Sequence, residues 1–195
     1  MKHRNDRVIV TDVDGVLLNW VDSFEEFAAE RGFEKYGNEH YSLTGCYEMS
    51  QREERMYTKW HNESVRLYHL SPMRDAVKFV RRLHEWHGYV LHCVTALDPH
   101  PYVQKAREQN LKDLFGPAIE RVILTGSHEN KRATLEEYRD SNCVWVEDKP
   151  SNADLGVELG LDTLLMDQSY NRKYNNEKVQ RVGTWSEIYD HVVGA

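Results

Sequence analysis

The chain has 195 residues, 40% hydrophobic and 29% charged, with a formal net charge of −7. That length fits one domain with a small insertion, and the composition is that of a folded globular protein. The negative balance excludes a broad electrostatic attraction to a nucleic-acid backbone.

Cys46, Cys93 and Cys143 are odd in number and widely scattered, with no Cys-x-x-Cys pair. Neither a disulfide framework nor a zinc ribbon is expected, and a reducing compartment is. No stretch approaches the roughly 20 apolar residues that span a bilayer. The first strand starts by about residue 7, which leaves residues 1–6 no room for the apolar segment of a signal peptide. A cytoplasmic protein is the expectation.

The first organised stretch is Val8-Ile9-Val10-Thr11-Asp12-Val13-Asp14-Gly15-Val16-Leu17-Leu18. Its β-branched apolar run predicts a buried strand that ends abruptly in two acids. Gly15 permits a sharp turn just after them, bringing the Asp12 carboxylate and the Asp14 backbone carbonyl near one point. Two carboxylates that close repel unless a cation or a shared proton intervenes. Mg2+ suits such a place, because it takes few carboxylates, several waters and a substrate phosphate. Asp-x-Asp-Gly is also an ordinary turn sequence, so its meaning depends on the rest of the chain.

Residues 20–31 have apolar positions at helical spacing and stop at Gly32. The pattern dissolves over 33–45 and resumes as a charged, aromatic-bearing helix over 51–70. Residues 19–70 therefore read as a mostly helical insertion in a core made of 1–18 and 71–195. Its aromatics, Trp20, Phe24, Phe27, Tyr47, Tyr57 and Trp60 among them, either build a small core or line a pocket for a flat ring.

From Ser71 strands and helices alternate. Ser71-Pro72 reads as a helix start, with 73–87 helical and Gly88 ending it. Residues 89–94 form a strand closing at Thr95-Ala96, 101–109 a helix, 121–124 a strand and 131–139 a helix. Residues 143–146 form a strand ending at Glu147-Asp148, 151–159 a helix and 163–166 a strand ending at Asp167. After an irregular polar stretch, 185–193 is a last helix. This alternation predicts an α/β fold: a Rossmann-like, mostly parallel sheet flanked by helices, with ligands at the carboxyl ends of its strands. His84, His87, His92 and Cys93 show no four-ligand spacing and are read as structural or surface residues.

Four features occur in order: Asp12-x-Asp14-Gly15-Val16, a strand closing on Thr95, Lys131 at a helix start, and Glu147-Asp148 closing another strand. Their order and placement resemble the four motifs of the haloacid dehalogenase-like hydrolase superfamily, mostly Mg2+-dependent phosphatases, over about residues 7–167. The resemblance implies that Asp12 is a nucleophile that attacks phosphorus and forms an aspartyl phosphate. It implies that Asp14 is the acid and base, with its backbone carbonyl on the metal. Thr95 would donate its hydroxyl and Ala96 its backbone N–H to the phosphoryl group, and Lys131 would pair with nucleophile and phosphate. Asp148 would complete the Mg2+ site beside Asp12 and Asp14, with Glu147 orienting waters or serving as the ligand instead. Asn152 stands where many members carry a second aspartate.

The insertion falls where this family places a cap that covers the active site. Within the family, the Asp-x-Asp-Gly-Val-Leu pattern is similar to the 5'(3')-deoxyribonucleotidases and their phage and bacterial relatives. Arg121-Val122-Ile123-Leu124-Thr125-Gly126 and Val146-Glu147-Asp148-Lys149-Pro150 add to that likeness. It implies a small-molecule phosphate ester, a nucleoside monophosphate, as substrate, with Trp20 over the base and Trp60 as a second stacking residue. A sugar-phosphate phosphatase is the alternative, as is a phosphatase of polynucleotide 3' ends, which the net charge disfavours. A non-catalytic phosphate- or nucleotide-binding module is a third, against which Asp12, Asp14, Thr95, Lys131 and Asp148 together count.

Overall fold

The apolar run that opens the sequence becomes the centre of a sheet in the computed structural model, which describes residues 7–126 and 131–194. The strands are β1 (Val8–Thr11), β2 (Val90–Thr95), β3 (Ile119–Leu124), β4 (Val144–Glu147), β5 (Asp162–Met166) and β6 (Gln180–Val182). They pair in the order β3-β2-β1-β4-β5-β6, and every pairing is parallel. Parallel neighbours need crossovers, and helices supply most of them. These are α1 (Trp20–Ala29), α2 (Gln51–Asn62), α3 (Ala76–His87) and α4 (Pro101–Phe115), followed by α5 (Arg132–Leu135), α6 (Pro150–Glu158) and α7 (Trp185–Val193). The α/β fold class expected from the alternation is the one observed.

Ile9 and Val10 face opposite layers, and both are fully buried. On one side Ile9, Leu91 and Leu164 pack with Phe79 and Leu83 of α3, Val103 and Leu111 of α4, and Trp185 and Ile188 of α7. On the other, Val10, Val94 and Trp145 pack with Leu135 of α5 and Leu155 of α6. A sheet covered on both faces has near-continuous apolar strands, which is why the first strand is so readable. No helix among the described residues is long and apolar enough to cross a membrane. The reading of residues 1–6 lies outside the described residues.

Between β1 and α3 the chain makes a third apolar cluster of its own. Phe24, Phe27, Ala28, Cys46, Tyr47 and Met49 are buried together, with Trp20, Phe33, Leu43 and Tyr57 packed around them. Asn19 caps α1, and Ser50 and Glu53 form a reciprocal capping box on α2. The continuous helix expected over 51–70 divides. α2 ends at Asn62, and Ser64 caps a short 3₁₀ turn over Val65–Tyr68, which returns the chain to the main core through Leu67 and Leu70.

Other boundaries also move. Ser71 and Pro72 do not start α3: Leu18 bridges Pro72, and Met73 N–H donates to Leu17 O at 2.8 Å, so this segment closes the insertion on the β1 loop. α3 begins after Asp75, whose carboxylate instead accepts from the backbone N–H groups of Trp185 and Ser186 at the start of α7, both at 3.1 Å. The helix over 131–139 shortens to α5 and a 3₁₀ turn, with Lys131 just ahead of it. α4 continues to Phe115 and stops at Gly116, whose φ is +57°. β6 emerges from the stretch read as irregular.

Candidate active site

Register brings the strand ends together. Thr11 pairs with Cys93 of β2 on one side and with Val146 of β4 on the other. The residues that follow in each strand, Asp12, Thr95 and Glu147-Asp148, therefore emerge on one edge. This is where the order of connection reverses across β1, the crevice in which open α/β sheets bind ligands. Asp12 N–H donates to Val146 O at 2.8 Å, which pins the exit of β1 to that of β4. The turn beyond is tight, since Leu17 and Leu18 both donate to Val13 O at 2.8 Å, and Gly15 sits at φ +80°. A Cβ on Gly15 would lie 2.3 Å from Asp148 Oδ2. Glycine is thus required twice, by backbone conformation and by the acid beside it.

Four charged side chains converge in this crevice. Lys131 Nζ lies 2.8 Å from Asp12 Oδ1 and 2.9 Å from Glu147 Oε2, with all three side chains nearly or fully buried. Burial and the charge of Glu147 push the Asp12 carboxyl up to about 8, against the pull of Lys131. Burial also acts on Glu147, but Lys131 and the hydrogen bond from Asp148 outweigh it and hold this acid at about 2. Glu147 is saturated: Oε1 accepts from the backbone N–H of Asp148 and of Lys149, and Oε2 from Lys131 and the Asn152 amide. The Asp148 carboxylate has one phenol donor, Tyr170. Burial, then the charges of Glu147 and Asp12, raise its pKa well above the ordinary range.

Asp14 faces another way. Both of its carboxylate oxygens accept from Arg107 Nη2, at 2.7 and 2.8 Å. Arg107 is fully buried on α4, and the sequence reading missed it. A signal existed, because the buried face of α4 runs Val103, Ala106, Arg107, Asn110, Leu111, with a cation where an apolar residue is expected. Burial raises the Asp14 carboxyl while Arg107 opposes it.

Thr95 is buried at the end of β2, and its hydroxyl has no hydrogen-bond partner among the described residues, in contrast to most buried polar groups. Ala96 follows it and is exposed. The two tryptophans do not join this group. Trp20 stacks on Phe24 at 4.9 Å and donates its indole N–H to Asn62 at 2.8 Å, so it belongs to the insertion's own packing. Trp60 is 49% exposed, edge-on to Tyr57. The aromatics that do approach the acids are Tyr170 and Tyr41, neither of which the motifs marked. Among the histidines read as structural, His84 bonds Tyr89 O, His87 bonds Tyr189, and His92 bonds Tyr138 and Glu120.

The donor set fits a hard divalent cation. Asp12, Glu147 and Asp148 place one carboxylate oxygen each within 4.8 Å of one another, and among the described residues the Lys131 ammonium is ion-paired with the first two. The orphan Thr95 hydroxyl beside them fits an oxyanion.

The parallel sheet with helices on both faces and an acid cluster at its topological switch is of the α/β, Rossmann-like class, and the solved structures this chain resembles narrow the fold further. It has the fold of the haloacid dehalogenase-like hydrolases. A family hydrolase of this type from Streptococcus pneumoniae superposes with a TM-score of 0.65 at 13% identity, covering 96% of this chain and 98% of that one. CbbY of Rhodobacter sphaeroides, solved in complex with phosphate, gives 0.58 at 14% identity, with 93% and 96% covered. A Bacillus subtilis protein described as a HAD-hydrolase bound to magnesium gives 0.58 at 14% identity, with 97% and 99% covered. In sequence, the chain is 25% identical over 191 residues to an uncharacterized 32.4 kDa protein of the Gp30-rIII intergenic region of enterobacteria phage T4, covering 92% of this chain and 67% of the relative. No protein-family model matches the chain.

Proposed function

We propose that this chain is a Mg2+-dependent phosphomonoester hydrolase of small phosphate esters, nucleoside monophosphates first among them. The observation that carries the reading is the contact of Lys131 with Asp12, 2.8 Å apart, at the strand edge where the unpartnered Thr95 hydroxyl emerges. A phosphoryl group bound there meets a carboxylate nucleophile, an ammonium and a hydroxyl donor at once.

An Asp12 carboxylate oxygen attacks phosphorus, and the bond to the ester oxygen breaks. Asp14, once turned from the Arg107 guanidinium that holds it in this structure, gives that leaving oxygen a proton, then takes one from the water that attacks the aspartyl phosphate, so Asp12 returns and inorganic phosphate leaves. Lys131, Thr95 Oγ1 and the Ala96 N–H hold the phosphoryl oxygens while charge concentrates on them. Mg2+ would be held by the carboxylates of Asp12 and Asp148 and the Asp14 carbonyl, and it supplies the positive charge that keeps Asp12 ionised and screens the phosphate. Asp148 is the better ligand of the acidic pair because Glu147 already accepts four hydrogen bonds.

In this reading residues 19–70 form a cap over a core of 1–18 and 71–195, and the cap chooses the substrate. The aromatic edge it offers is Tyr41 rather than Trp20 or Trp60. The three cysteines are buried thiols, which suits a cytoplasmic setting.

The test is phosphate release from nucleoside monophosphates, glycerol phosphate, sugar phosphates and a 3'-phosphorylated oligonucleotide, with Mg2+ and with EDTA. Turnover of a nucleoside monophosphate is expected, lost with EDTA and cut roughly a thousandfold or more in Asp12→Asn. Failure of every ester, with inorganic phosphate still bound, would overturn catalysis in favour of a binding module.

A further inference from the structure

The segment between β5 and β6 touches several parts of the molecule at once. Gln168 Nε2 donates to Gly15 O at 2.7 Å, in the turn that follows Asp12 and Asp14. Ser169 Oγ donates to Asn38 O of the insertion at 2.5 Å. The Tyr170 hydroxyl donates to the Asp148 carboxylate. Asn171 Nδ2 donates to the carbonyls of Asp148 and Met166, at 2.7 and 2.8 Å. Four consecutive side chains thus join the nucleophile turn, the insertion and the acid cluster.

Tyr170 also meets the insertion directly. Its ring lies edge-on to Tyr41, 5.4 Å between centroids, and the Lys149 ammonium sits 4.8 Å from the Tyr41 ring. A carboxylate with both oxygens unrestrained turns freely. One donor on Oδ2 fixes its plane and leaves the remaining lone pairs for a cation. Glu147, saturated by four donors, has no such vacancy.

We propose that Tyr170 is a positioning residue: it orients Asp148 for the divalent cation and, through Tyr41 and the Ser169–Asn38 bond, couples the placement of the inserted segment to occupancy of that cation site. The inference rests on the metal-dependent reading above. It predicts that a change in residues 36–47 is felt at Asp148, and that cation binding is felt in residues 36–47, although none of these supplies a ligand.

Mn2+ is the probe, titrated into metal-free protein and followed by the loss of the free-ion paramagnetic resonance signal, with amide hydrogen exchange measured in parallel. Tyr170→Phe keeps the ring and removes the donor. It is expected to weaken Mn2+ binding roughly 10- to 100-fold while the thermal midpoint of the metal-free protein stays in place. In the wild type Mn2+ slows exchange over residues 36–47, and in Tyr170→Phe at saturating Mn2+ this slowing is lost. Mn2+ binding as tight as wild type in Tyr170→Phe, or slowing that persists, overturns the inference and leaves the metal reading standing. A wild type that takes up no Mn2+ overturns the metal reading itself, and this inference with it. Should Tyr170→Phe not fold, Tyr41→Ala with Ser169→Ala cuts both ties to the insertion and leaves Asp148 alone. That variant is expected to bind Mn2+ severalfold more weakly and to lose the slowing, and wild-type affinity or slowing that survives there overturns the coupling.

Discussion

Lys131 is buried against Asp12 and Glu147, at 2.8 and 2.9 Å, so its removal leaves the ionised Glu147 out of water without its cation and drives Asp12 further toward the neutral acid. Breaking a buried ion pair from one side costs about 3–5 kcal/mol, well above the worth of an exposed pair. Lys131→Met is therefore expected to lose about that much stability in metal-free buffer, read from urea denaturation near neutral pH. A loss under about 1 kcal/mol would mean that Asp12 and Glu147 share a proton at little cost and that Lys131 is not the group that steadies them. Residues of this kind stand out in the sequence because each closes a strand or opens a helix, and an acid or a lone hydroxyl at the end of an apolar run is costly to bury. Arg107 and Tyr170 were not readable in the same way. One reaches Asp14 from the middle of α4 and the other reaches Asp148 from a polar stretch, and no local spacing encodes a partner 93 or 22 positions away. The same limit hid where the aromatics pack. Trp20 has the right residue type for stacking on a ligand, but its indole is committed to Asn62 and Phe24.

At the level of elements, the central strands followed directly from sequence because a strand buried on both faces has no polar alternation to confuse. β6 escaped because Gln180 and Arg181 are exposed and Val182 alone of its residues is buried, which is an edge strand's pattern. The start of α3 was misplaced for a different reason. Ser71-Pro72 carries good capping chemistry, yet the chain uses it to pair with Leu17 and Leu18, so tertiary closure overrides a local signal. α1 and α2 meet over His61, which is fully buried, takes a bond at Nε2 from Ser23 at 2.9 Å and faces Asn62 Oδ1 at 3.2 Å through Nδ1. Asn62 Oδ1 also accepts from Trp20, so Nδ1 carries the proton and Nε2 accepts. Burial, with help from Arg66 and Arg107, lowers its pKa from 6.5 to about 4, against the bond to Asn62. The folded value lies below the unfolded one, so the unfolded chain takes up the proton first as pH falls. The stability carried by this site is complete above about pH 6.5 and is withdrawn toward pH 4, by up to about 3 kcal/mol. The urea midpoint of the wild type should thus fall more steeply than that of His61→Gln between pH 6.5 and 4. Parallel profiles would show that His61 is wet, and that the joint between α1 and α2 is looser than its packing implies.

Across the whole molecule, the sheet gathers three acids at one point, two of them on the Lys131 ammonium. Asp12, Glu147 and Asp148 gather within 4.8 Å, and the chain as a whole carries −7. Neither figure alone separates a specific cation site from general screening, because any salt relieves a negative surface. Burial does separate them: Glu147 is fully buried and Asp148 4% exposed, beyond the reach of diffuse counterions. A ligand that binds only the folded state adds RT ln(1 + [L]/Kd), about 2.7 kcal/mol at a hundred times Kd. For a domain of this size that corresponds to roughly 5–10 °C in Tm. Mg2+ at millimolar concentration is therefore expected to raise Tm by that order over EDTA. NaCl at matched ionic strength should raise it far less, and Asp148→Asn should lose most of the Mg2+ increment. An equal rise with NaCl, or an increment that survives in Asp148→Asn, would make the cluster a charged crevice relieved by ordinary salt, and phosphate chemistry there would have to proceed on Lys131 alone.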